Sequence, residues 1–165
     1  MKAQETIISE NNETASKLVA PDLTKRPPRS LRVELGGFAI LPRLLDKCRA
    51  TLASTNGEYH FNCPLDQLFL QFVGLNPEAL QEQVATGKND GEMLEWVQKN
   101  SSIKRGVWEI DAWTEYQGRR SPHPNTDLFE YYVSTLKEIG PSRTDTQSWA
   151  ELLDLDDYCS FGGAA

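Results

Sequence analysis

Two short stretches of this chain crowd chemically capable side chains together. Residues 43–49 hold Arg43, Asp46, Lys47 and Arg49, and residues 59–66 hold Tyr59, His60, Asn62, Cys63 and Asp66. Arg43 and Lys47 are four apart and Asp46 is three from Arg43, spacings that make side chains neighbours on a helix. On a helical wheel they lie away from the apolar stripe of Leu41, Leu44, Leu45 and Cys48. One reading is a solvated face braced by an intrahelical Arg43–Asp46 pair. The other is a fork of cations, steadied by Asp46 and offered to a carboxylate or phosphate. Arg49, Tyr59, Asn62 and Asp66 complete the ligand-binding candidates.

The run His60-x-x-Cys63-x-x-Asp66 admits three uses. All three are zinc-ligand types, but further ligands would have to come from elsewhere and the spacing matches no zinc signature, so no metal is assigned. As a nucleophile, Cys63 precedes Pro64 and so stands at a helix N-terminus, where the dipole and free N–H groups suit a reactive sulfur. His60 would then be the base, and His60 and Cys63 are the catalytic candidates. In the third use, Asn62 or Cys63 caps the helix, Asp66 supports its first turn and His60 bonds a backbone group. The chain has no phosphate loop, dinucleotide fingerprint or nucleophile elbow. Asp154, Asp156 and Asp157 lack the glycine and closing glutamate of a calcium loop.

Helices must position these groups. Apolar residues recur at helical spacing from Leu41 to Leu52, with Pro42 in the first turn. Gly36-Gly37 ahead of them would let a ligand or another backbone come close. A second helix starts near Pro64 and stops at Gly74. Asn76-Pro77 opens a third, closed by Gly87, and Asn89 with Glu92 boxes the start of a fourth. A fifth is expected over about Lys104–Gln117 and a sixth over Asp127–Ile139, ended by Gly140-Pro141. A last short helix is expected from Thr144, boxed by Gln147. The four tryptophans fall at helical positions and read as mostly core. Only Leu31–Leu35 alternates like a strand, too short and solitary for a sheet.

The expected fold is therefore all-α: a single compact domain of six or seven short helices over residues 36–158. A disordered tail over 1–20, an extended Pro-rich arm over 21–35 and a loose end over 159–165 would flank it.

Several of these residues keep a distinctive pattern: Gly36-Gly37, Arg43, Asp46-Lys47, Arg49, Tyr59-His60, Asn62, Asp66, Phe72-Val73-Gly74, Asp90, Glu92 and Trp96. In it the chain resembles the bacterial domain-of-unknown-function family 5069 over about residues 22–158. The resemblance implies a compact helical bacterial domain with its polar signature in residues 36–66. No activity, cofactor or catalytic residue comes with it.

The chain has 165 residues and a net charge of −7, distributed unevenly. Residues 22–50 carry seven basic against three acidic side chains, and residues 51–165 carry eight against 18. The acidic balance argues against nucleic acid as a partner. No apolar run reaches a membrane span, residues 1–14 lack a signal-peptide core, and three cysteines do not make a disulfide scaffold, so a soluble cytoplasmic protein is expected. The function expected is binding of a small anionic metabolite, with or without catalysis, by the cluster at residues 36–66; the cofactor is unknown. The alternative is a protein-interaction or regulatory module using the basic arm.

Overall fold

The computed structural model describes residues 18–165, so the tail expected over 1–20 falls almost wholly outside the described range. Among the described residues the chain is all-α. Seven helices follow in order: α1 Leu41–Leu52, α2 Pro64–Val73, α3 Pro77–Ala85, α4 Asp90–Asn100, α5 Val107–Arg119, α6 Asp127–Ile139 and α7 Trp149–Ser160. The single β-type pairing among those residues is an isolated bridge between Leu35 and Phe38. No helix among them is long and apolar enough to cross a membrane.

Local chemistry explains most helix starts. Pro42, Pro64 and Pro77 sit in first turns, where a missing N–H costs nothing. Asn76 accepts from Ala79 N–H, and Asn89 and Glu92 form a reciprocal box. Two starts differ from expectation. α5 begins at Val107 rather than near Lys104, because Glu109 turns back to accept from Gly106 N–H at 2.8 Å. α7 begins at Trp149 rather than Thr144, because Ser148 and Glu151 form the box. α7 also runs on to Ser160, so the first residues of the expected loose end are helical.

α1 is the centre of the molecule. Every residue from Leu41 to Ala50 is buried, charged ones included. Its apolar stripe joins Phe69, Leu70, Val73, Leu80, Val84, Met93 and Val97 in one core. α2 and α3 pack directly on α1, α4 packs on α3, and α7 packs on α5 and α6. A smaller cluster of Tyr132, Trp149 and Leu152 joins α6 to α7. Trp108 departs from the core assignment: it is 75% exposed at the start of α5.

The entry to α1 is tightly constrained. Gly36 has φ +59°, and a Cβ there would lie 2.6 Å from both methyls of Leu94. The close approach at Gly36 is made by the side chain of Leu94, which packs against the core. Ile40 takes φ 68° and ψ −38°, and Leu41 N–H donates to Ala39 O across it at 2.8 Å. A β-branched residue enters this γ-turn only when its surroundings force it. Here Ile40 N–H donates to Leu31 O at 2.9 Å. Buried Thr114 accepts from Ala39 N–H at 3.1 Å and donates to Gly37 O at 2.7 Å.

The segment before α1 wraps the domain through turns and is built into it. Leu23, Pro28 and Leu31 are buried, and Leu23 N–H donates to Thr55 O at 2.8 Å.

Candidate functional site

The four charged residues of α1 do not face solvent. Each meets a carboxylate or guanidinium from elsewhere in the chain, which burial requires. Arg43 forms a two-pronged pair with Asp157 of α7, at 2.6 and 3.2 Å, and also donates to Arg29 O at 3.1 Å. Burial works against its charge, but Asp157 outweighs that and holds the guanidinium more basic than usual. Tyr59 donates to the same carboxylate at 2.7 Å, and Arg43 lies 5.5 Å from the centre of its ring. Burial and the Asp157 carboxylate push the Tyr59 phenol well above its ordinary range.

Asp46 does not brace Arg43. It accepts from Arg29 instead, through the backbone N–H at 3.0 Å and the guanidinium at 2.9 and 2.7 Å. Asp90, at the first position of α4, receives Arg29 at 2.7 Å and Arg49 at 2.6 Å. Arg49 also donates to Lys88 O at 3.0 Å. Arg29, Arg43, Lys47 and Arg49 are thus matched by Asp46, Asp66, Asp90 and Asp157. The network is neutral in itself and buried, so a solvated face braced by an intrahelical Arg43–Asp46 pair does not describe it, and the fork's steadying carboxylate is Asp157 rather than Asp46.

Lys47 and Asp66 form the deepest pair, with side chains 3% and 0% exposed and 2.8 Å between Nζ and Oδ1. The approach is close but poorly directed: Oδ1 receives no well-aligned hydrogen bond. Oδ2 accepts from Asn62 N–H at 2.9 Å, and Cys63 N–H also bonds the carboxylate. Burial, which Lys47 only partly offsets, raises this carboxyl above its ordinary value. Lys47 Nζ also donates to Cys63 Sγ at 3.1 Å. Cys63 is the N-cap residue of α2, and its side chain caps no backbone N–H there. An ammonium carries three N–H groups. Cys63 takes one, Asp66 Oδ1 lies close without a well-aligned bond, and no other acceptor for Nζ is found among the described residues.

Above these groups opens a cleft of about 680 Å³. Its floor is Arg43, Lys47, Tyr59, Cys63 and Asp157; Leu23, Leu65, Leu153, Tyr131 and Phe161 supply apolar wall; His60, Glu58, Asp156 and Ser160 also line it. Of the expected site residues, Arg43, Lys47, Tyr59, His60 and Cys63 line the cleft. Asp66 lies beneath Lys47, while Asp46 and Arg49 belong to the Arg29–Asp90 side of the network. Asn62 is exposed, with φ 62°, and its Oδ1 accepts from Gln67 Nε2. His60 is exposed and no hydrogen bond joins it to Cys63; the partner of Cys63 is Lys47. Among the described residues no three His, Cys, Asp or Glu side chains gather as a metal site.

Sequence reasoning missed Arg29 and Asp157, and the Arg29–Asp90 bridge that completes the network. Asp157 belongs to an acidic run at 154–157, its one signal in the sequence. Phe161 and Tyr131, which line the cleft, carried none.

The fold and site define an all-α domain with a neutral buried charge network under an amphipathic cleft. Residues 25–159 match the family model described as a domain of unknown function, DUF5069, and the chain belongs to that family. No curated protein matches the chain.

Proposed function

We propose that the cleft above Arg43, Lys47 and Cys63 binds a small molecule with one anionic group and an apolar body. The observation that carries this is convergence. Five of the nine side chains singled out by residue type line one cavity, with apolar residues from the arm, α2, α6 and α7 opposite them. A volume of about 680 Å³ falls within the size of small-molecule sites. The anionic group is placed by Lys47, whose ammonium bonds Cys63 Sγ and has no second well-aligned acceptor among the described residues. A single negative charge is favoured over a polyphosphate, because Glu58, Asp156 and Asp157 line the same cleft and would repel a higher charge. Leu65, Leu153 and Phe161 suit an apolar body.

Anilinonaphthalene sulfonate has this chemistry, one anion on an aromatic body, and is the probe. Ser160 is exposed and lines the cleft, so Ser160→Trp fills the space and leaves the network intact. The expected outcome is saturable fluorescence enhancement in the folded wild-type chain. Affinity should fall at least about tenfold in Ser160→Trp, with helical content unchanged by circular dichroism. Equal binding by both chains, or none by either, would overturn the assignment.

A further inference from the structure

We infer that Cys63 and Lys47 are a covalent modification site: hydrogen peroxide oxidises the Cys63 sulfur, and Lys47 Nζ captures it as a sulfur–nitrogen cross-link. This does not depend on what the cleft binds.

Three observations meet here. Nζ and Sγ are already 3.1 Å apart, so a bond between them needs only a small further approach. Cys63 is partly exposed and lines an open cleft, which gives a molecule the size of peroxide a way to it. The lysine is held in place by Asp66 and by burial, so a nascent sulfenic acid has one fixed nucleophile beside it. A cysteine without such a neighbour goes on to the sulfinic acid when peroxide persists.

The chemistry balances with one equivalent of oxidant. The Cys63 sulfur attacks one peroxide oxygen, the O–O bond breaks, and sulfenic acid and water form. The Lys47 ammonium passes a proton to Asp66 Oδ1, 2.8 Å away and without a well-aligned hydrogen-bond donor. The freed Nζ lone pair attacks sulfur, the S–O bond breaks, and hydroxide leaves as water with that proton. The nitrogen sheds its second proton to solvent, and the Asp66 carboxylate is left without its cation. Overall a thiol, an amine and one peroxide become a sulfenamide and two waters. The cross-link removes the Lys47 charge from the cleft floor, and reduction by a thiol restores both side chains.

The other cysteines are distinguishable. Cys48 is fully buried and its thiol is pushed up to about 12 by burial. Cys159 lies on α7 with its sulfur directed at Ile139 O, 3.6 Å away. The experiment treats the full chain carrying Cys159→Ser, which removes the partly exposed alternative for a disulfide, with hydrogen peroxide, and reads intact mass and peptide maps. Expected is a loss of about 2 Da, a linked peptide pair joining positions 47 and 63, and reversal by dithiothreitol. Adding Cys63→Ser, a residue type favoured at an N-cap, should abolish the loss. Adding Lys47→Arg should instead give a gain of about 32 Da at Cys63, the sulfinic acid. Accumulation of that species in the parent chain, or no oxidation of Cys63, would overturn the proposal without bearing on ligand binding. So would a linked pair other than 47–63. The parent-chain result stands even if Lys47→Arg fails to fold.

Discussion

Replacing Arg43 by alanine leaves Asp157 buried without its cation, with only Tyr59 still donating to the uncompensated carboxylate. The expected loss in urea denaturation is about 3–5 kcal/mol, because breaking a buried pair costs far more than the pair itself contributes. The double variant Arg43→Met/Asp157→Leu should recover most of that loss. Arg43 is therefore a poor residue with which to separate binding from folding. Asp90 gives a pH signature of known sign. Burial opposes its charge, but Arg29 and Arg49 outweigh this and hold its pKa below 3.8. The unfolded chain therefore binds a proton more readily than the folded one. The stabilisation from Asp90 is complete above that ordinary value and is lost as pH falls through the lower folded one. Asp66 has the opposite sign, since burial raises it and favours its protonated form in the folded chain. Thermal unfolding followed from neutral pH to about pH 2 should fall less steeply in Asp90→Asn than in wild type.

At the scale of the helix, strain and capping are the levers. Gly36→Ala combines a left-handed φ with a Cβ forced against Leu94, and should destabilise the fold by about 1–3 kcal/mol in urea. Shortening the obstruction with Leu94→Ala should make the Gly36→Ala step less costly, a coupling a double-mutant cycle reads directly. The helices whose ends are written locally were legible: Asn76-Pro77 and Asn89 with Glu92 specify caps within four residues. α7 was not. Thr144 with Gln147 and Ser148 with Glu151 are rival boxes four residues apart, and tertiary structure decides between them. Trp149 N–H donates to Arg120 O at 3.0 Å, which fixes the first turn against the end of α5. The polar cluster was legible for a similar reason, because residue type and density are local properties. Its internal partners were not, because Arg43 and Asp157 are 114 positions apart and no short pattern connects them.

For the whole molecule, the segment before α1 is a structural part. Deleting residues through Leu31 would remove Leu23 and Leu31 from the interior, leave Asp46 without its cation and leave Asp90 with Arg49 alone. A chain starting at Arg32 should lose its cooperative thermal transition by circular dichroism. Retention of a sharp transition would show that the wrapping segment contributes little. Lys25, Arg26 and Arg32 of that segment are exposed, whereas Arg29 is bound into the network.

The Arg43–Asp157 pair also has a consequence in time. A polypeptide emerges from the ribosome one end first, and its early helices ordinarily begin to settle while later ones are still being made. α1 emerges early, yet the carboxylate that neutralises Arg43 is translated 114 residues later. Until then its most central helix carries a cation it cannot bury. The interior should therefore shut only once its last helix has been made.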